Sequence, residues 1–298
     1  MSAAARIRVP VPAQLLGMLT VLLAVVAALV FFLAPSSART EAGKGSLQLA
    51  QSQPTGCAEP SIAVLPLAGG RTQFSITDLC RAGQMVTFTY VGVPFQRKVD
   101  GAGRLDFILD CFAGDGSPVE IGFQDGSTFS RNAVARDMGR ISKVSVLWSA
   151  NVNLDIHAFE YAASFGKPGH VWAAAPSSPE DARSVARAEG RGRGFISHVS
   201  DGGNVGSHLE VYTFWHHRRQ DRGVIRLALD FASRGSMPQG ENCGSGRMAE
   251  VEFLVLRLSR GGEFSRTEGV FQRAACGAPL SEQARYSTKA IPDLFIDN

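Results

Sequence analysis

One uninterrupted apolar run, residues 15–34 (LLGMLTVLLAVVAALVFFLA), limits what this chain can become before any other feature is considered. At 1.5 Å rise per residue such a run spans the roughly 30 Å hydrocarbon core of a bilayer, so the chain is tethered to a membrane or exported across one. Thr20 is its only polar side chain, which separates it from an ordinary buried core helix. Arg6 and Arg8 precede the run without an acidic residue and favour a cytoplasmic N-terminus, while Arg39 and Lys44 on the far side weaken the charge rule taken alone. Ser36 and Ala38 resemble a signal-peptidase site, and a cleaved signal peptide is the rival reading. A signal h-region usually runs about 7–15 residues, shorter than this segment, so the expectation is an uncleaved signal-anchor. Residues 1–14 then form a cytoplasmic tail and residues 15–34 a transmembrane helix of the inner membrane, with the C-terminal body in the periplasm.

Residues 35–56 are small and polar without a sustained period, and read as a flexible linker that lifts the body off the bilayer. The remainder is long enough to bury a core of its own. A formal net charge of +3 is too small to argue for nucleic acid, and 19% charged against 45% hydrophobic residues describe a folded body.

From Cys57 onward the hydrophobic signal has period two. Val86, Phe88 and Tyr90 share one face, as do Leu105, Phe107, Leu109 and Cys111. Asp100-Gly101-Ala102-Gly103, Asp125-Gly126 and Gly261-Gly262 stand between alternating segments as hairpin signals. The predicted fold class is mainly β, an N-terminal transmembrane helix followed by antiparallel β-sandwich modules. Residues 57–149 form the first sandwich module and residues 150–298 a second β-rich module containing strands near 209–215, 223–231 and 249–258. One helix is expected at residues 179–189, with Ser178 as N-cap, Pro179 at its first position and Glu180 and Asp181 in its first turn. Its apolar stripe of Ala182, Val185 and Ala186 is thin, and it reads as an exposed insertion.

Cys57, Cys80, Cys111, Cys243 and Cys276 contain no CxxC pair, which argues against a zinc ribbon or a thioredoxin-like site. An exported body favours structural disulfides. Cys111 keeps phase with the buried face of its strand and reads as a core thiol, leaving Cys57–Cys80 and Cys243–Cys276 as local pairings. Each closed loop contributes about 3.5 kcal/mol in the chain-entropy account.

The best chemical cluster is Asp155, His157 and His170. With Val152, Leu154, Ile156 and Ala158 facing the core, Asp155 and His157 project together and a neighbouring strand brings in His170 as a polar, acid/base or metal set. Against that stands a simpler reading, in which His157 makes a cross-strand hydrogen bond and His170 lies in a turn beside Trp172. His216, His217, Arg218 and Arg219 make a basic tip suited to anionic lipid or envelope glycan, or merely a solvated loop. Ser145, Ser149 and Ser207 lack a GxSxG setting, and Gly190-Arg191-Gly192-Arg193-Gly194 lacks the order of a phosphate loop and reads as a mobile loop.

The residues Gly56-Cys57, Cys80, Tyr90-Val91-Gly92, Asp100, Leu147-Trp148, Ile156-His157-Ala158, Glu160 and Gly169-His170-Val171-Trp172 are similar to those of an uncharacterised family of single-span bacterial envelope proteins often labelled "translocase". Val211-Tyr212-Thr213-Phe214, Cys243-Gly244, Cys276 and Ile291-Pro292-Asp293-Leu294 extend the likeness over nearly the whole body. The first module also resembles a transthyretin-like or carboxypeptidase-regulatory-like sandwich, at the level of fold.

The sequence thus reads as a membrane-anchored periplasmic binding or scaffolding protein of the envelope. The expectations are no cofactor, no nucleic-acid partner, and an envelope protein or glycan as partner. The first alternative is a metal-assisted envelope enzyme using Asp155, His157 and His170; the second is an accessory subunit of a transport complex, since one span cannot form a channel alone.

Overall fold

Alternating apolar and polar side chains build most of this body as strands. The computed structural model describes residues 57–114, 116–149, 154–173, 178–200, 207–217, 221–230, 250–272 and 286–296. The apolar run 15–34, the linker, Val152, Arg218, Arg219, Cys243 and Cys276 lie outside the described residues. Among the described residues, no helix is long and apolar enough to cross a membrane.

In chain order the strands are β1 (Ser61–Leu67), β2 (Arg71–Thr77), β3 (Met85–Tyr90), β4 (Val93–Lys98), β5 (Arg104–Asp110), β6 (Pro118–Phe123), β7 (Thr128–Asn132), β8 (Ile141–Trp148), β9 (Asp155–Phe159) and β10 (His170–Val171). The helix α1 (Pro179–Glu189) follows, then β11 (Arg193–Ser200), β12 (His208–Trp215), β13 (Val224–Asp230), β14 (Glu250–Leu258), β15 (Phe264–Gln272), β16 (Tyr286–Ser287) and β17 (Leu294–Phe295). The described strands pair antiparallel throughout. They form sheets of order β1-β2-β5, β4-β3-β6-β7, β11-β12-β8-β14-β15 and β10-β9-β13-β16, with β17 also on β13.

In the sheet β11-β12-β8-β14-β15 the central strands β8, β12 and β14 are largely buried on both faces while the edge strand β15 is exposed, and period two decides which side chain goes where. Leu209, Val211 and Trp215 of β12 and Leu254, Leu256 and Leu258 of β14 join Phe74, Phe88, Phe107 and Ile121 of the two N-terminal sheets in one core. Tyr212 and Phe214, with Phe253 and Val255, point the other way and meet Ile156, Ala158, Leu227 and Leu229 in a second core. Strand β8, the last before the expected module boundary, pairs with β12 on one side and β14 on the other. Gly56–Asn298 is one compact unit.

Asp125-Gly126 joins β6 to β7 and Gly261-Gly262 joins β14 to β15 as hairpins. The Asp100–Gly103 turn does not make the expected hairpin: β4 pairs with β3, whereas β5 pairs with β2 in another sheet. Asp100 Oδ1 accepts from the Ala102 and Arg104 amides at 2.9 and 2.7 Å, which fixes the reversal but not the partner. Gly103, at φ +75°, lies against Leu79; a Cβ there would sit 2.6 Å from Leu79 Cα. The turn therefore carries the chain between sheets.

Helix α1 occupies the expected residues, with Ser178 Oγ accepting from the Asp181 amide at 3.1 Å and Gly190 ending the helix at φ +66°. It is not an exposed insertion, since Pro179, Ala182 and Ala186 are buried. The small side chains let the helix lie close on the body, so a thin stripe is sufficient.

Candidate functional site

On β9, Ile156 and Ala158 face the second core, which sends Asp155, His157 and Phe159 to the opposite face. The register places His170 of β10 beside Phe159 on one side, and Asp230 of β13 opposite Asp155 on the other. His157, His170, Asp155 and Asp230 are all buried.

The hydrogen bonds fix the direction of the histidine pair. The Gly166 amide donates to His170 Nδ1 at 3.0 Å, so the proton of neutral His170 sits on Nε2. That Nε2 lies 2.8 Å from His157 Nδ1, which accepts and leaves the His157 proton on Nε2, 3.5 Å from Asp230 Oδ2. The chain of donors runs from the loop through His170 to His157, whose Nε2 faces Asp230. Burial, and then the neighbouring His157, lower the His170 pKa to about 4, which keeps it neutral.

Aromatic rings close around the pair. His170 stacks on Phe159 at 4.8 Å and on Trp172 at 5.7 Å, while Phe165 meets it edge-on at 5.0 Å and is 49% exposed. Asp155, His157 and His170 thus share one face as the sequence expects. Asp230 escaped the sequence reading because it is remote in sequence and sits in an unremarkable apolar strand. Among the described residues, no group of three or more His, Cys, Asp or Glu converges in a geometry that holds a metal ion. The His157–His170 contact points two ring nitrogens at each other, so the pair does not offer two lone pairs to one ion.

Next to this site Glu160 is buried among donors. Its carboxylate accepts from the Gly194 amide at 2.6 Å, Tyr212 Oη at 2.8 Å and Arg193 at 2.9 Å. Burial raises its pKa, opposed by Tyr212 and Arg193. The Arg-Gly run expected to be a mobile loop leads from the end of the helix at Gly190 into β11, which begins at Arg193, and Gly192 and Gly194 are required sterically. A Cβ on Gly194 would fall 2.3 Å from the Tyr212 ring, and one on Gly192 2.4 Å from the Phe214 ring. Tyr161 and Ala162 sit at φ 52° and 61°, a conformation that costs side-chain-bearing residues energy.

A second buried ionic group joins the sheets. Lys143 Nζ is 2.6 Å from Asp110 Oδ1 and 2.7 Å from the Gly70 carbonyl, and Ser197 Oγ donates to Asp110 Oδ2 at 2.8 Å. Cys111 is a free, buried thiol as expected, pushed up in pKa by burial. Cys57 and Cys80 form a disulfide.

The basic tip divides. His216 is buried, with Nε2 2.9 Å from Ser142 Oγ, and burial followed by Arg260 lowers its pKa to about 4. It is a core histidine and does not belong to an exposed tip, because it keeps the phase of the buried Tyr212 and Phe214, and its amide donates to the Arg140 carbonyl at 2.8 Å. His217 lines a groove of about 230 Å³ with Asp137, Arg140, Arg183, Ala186, Arg187 and Trp215. No protein-family model matches this chain, and no curated protein shows significant similarity to it.

Proposed function

We propose that the chain is a membrane-anchored protein of the cell envelope whose antiparallel β-sandwich body acts in the periplasm as a binding or scaffolding component. The apolar run 15–34 supports the anchor, and the Cys57–Cys80 disulfide supports an oxidising compartment for the body. The likeness to single-span envelope proteins fits the same placement. What carries binding over catalysis is the histidine pair at β9 and β10. The facing nitrogens of His157 and His170 are joined to each other, and the outer nitrogens meet Gly166 and Asp230. A general base needs a free lone pair within reach of a substrate proton, and these rings use theirs to hold the loop after β9 against the sheet.

Alkaline phosphatase fused after Asn298 should be active in intact cells, and crosslinking in native membranes should capture the same envelope component repeatedly. An inactive fusion would place the body on the cytoplasmic side. Hydrolytic or transfer activity lost on replacing His157 would overturn the binding reading.

A further inference from the structure

Two arginines stand over one indole, and a third lines the groove beside them. Arg183 of α1 stacks over Trp215 at 4.4 Å, Arg140 approaches the same ring at 5.7 Å, and Arg187 lines the groove one helical turn from Arg183. Trp215 is 3% exposed, so it is a floor covered by guanidinium groups. Stacking occupies the faces of a guanidinium and leaves its edge N–H donors pointing sideways.

Those donors are underused. Among the described residues the only acid lining the groove is Asp137, whose Oδ2 lies 3.5 Å from Arg183. Arg183 Nε is buried and has no hydrogen-bond partner among the described residues. Arg183 and Arg187, an i,i+4 pair of like charges on one helix, repel each other unless an anion sits between them. Among the described lining residues three guanidinium charges face one carboxylate, a surplus that a dianion neutralises. The volume of about 230 Å³ is below the roughly 300–1,000 Å³ of pockets that enclose whole drug-sized ligands, so it admits a head group.

We propose that the groove formed by Arg140, Arg183, Arg187 and His217 over Trp215 binds the phosphate group of an anionic ligand. Guanidinium forks recognise phosphate oxygens through paired N–H donors, and arginines on separate elements approach a tetrahedral anion from different sides. This assignment rests on the reading of the body as a binding module. Its test needs neither export nor a partner, so the two fail separately.

Full-length protein in neutral detergent is titrated calorimetrically with inorganic phosphate and, separately, with dioctanoyl phosphatidic acid. Saturable binding of either supports the site, and the tighter of the two identifies a free or a lipid-borne phosphate as its source. Arg187→Gln, on an exposed helical position, should weaken binding about tenfold, and Arg183→Gln should do so at least as strongly. Asp137→Asn removes the acid that lines the groove beside Arg183 while keeping a residue type that tolerates its φ of 73°, and should tighten binding. Misfolding does not produce a gain. Arg266→Gln, a surface arginine outside the groove, should leave affinity unchanged. Absence of saturable binding to both probes, equal loss in Arg187→Gln and Arg266→Gln, or no gain in Asp137→Asn would each overturn the proposal.

Discussion

His170 donates from Nε2 to His157 Nδ1 across 2.8 Å, and the Gly166 amide on the far side of His170 sets that direction. One backbone N–H in a loop therefore decides the tautomers of two side chains and presents the His157 proton toward Asp230. The pair joins adjacent strands β9 and β10, which share only the short register His170↔Phe159 and Val171↔Ala158. Two ladder positions are a weak hold, and the ring-to-ring bond with its aromatic surround supplies the rest.

Replacing His157 with Ala strands the His170 N–H in a buried setting and removes a stacked ring. The expected loss of stability is about 1–3 kcal/mol, measured by chemical denaturation, with the loop after β9 gaining hydrogen exchange ahead of the rest of the body. If His157 instead helped to hold a metal, elemental analysis would find stoichiometric ion in the parent and none in His157→Ala or His170→Ala.

Acid sensitivity follows from the two histidines held near pKa 4, His170 and His216. Both have folded values below the ordinary 6.5, so the unfolded chain binds protons that the folded chain refuses. Their neutral forms cost nothing above about pH 6.5, and stability falls as pH drops from there toward 4, by about 3 kcal/mol for each group. His216→Gln, which keeps a partner for Ser142, should reduce proton uptake on unfolding at pH 5 by about one. An unchanged pH slope of Tm would remove His216 from the account.

The Cys57–Cys80 bridge closes a sequence separation of 23 residues and ties the segment before β1 to the turn after β2. Cys80→Ser should lower stability by about 3.5 kcal/mol in the chain-entropy account. Cys111 should resist alkylation in the folded protein and react on unfolding, since burial both hides the thiol and raises its pKa. Peptide mapping without reductant also tests Cys243–Cys276, which lies outside the described residues.

Period two carried most of the strand assignments, because a half-buried strand writes its burial directly into alternate residues. Met85–Tyr90 is the plainest case, with the inward positions Val86, Phe88 and Tyr90 all buried. Partnership between strands was less visible. Asp100–Gly103 has the chemistry of a reversal, and nothing local says whether the next strand returns to the same sheet or crosses to another. The histidine cluster was half legible: alternation places Asp155 and His157 together, but Asp230 arrives through the β9–β13 register, a long-range property. Glu160, Lys143 and Asp110 were missed for the same reason, each being a lone charge in sequence whose partners come from distant strands. His216 was misread because adjacent arginines disguise an inward-facing side chain.

Lys143 and Asp110 offer the sharpest stability test, since both are buried and joined at 2.6 Å. Removing one partner leaves the other charge without its counterion in an apolar setting, which typically costs about 3–5 kcal/mol. Lys143→Met should reach that range, because Asp110 retains Ser197 as a donor but loses its only salt bridge among the described residues. The double replacement Lys143→Met with Asp110→Leu removes both charges and both desolvation costs, and should recover most of the loss. The Gly70 carbonyl then loses the Lys143 donor, so full recovery is not expected. Denaturant titration of the parent, the two single variants and the double variant closes the cycle. Additive losses would mean that the pair is not coupled in the folded protein and that β5 and β8 are held together by their apolar neighbours alone.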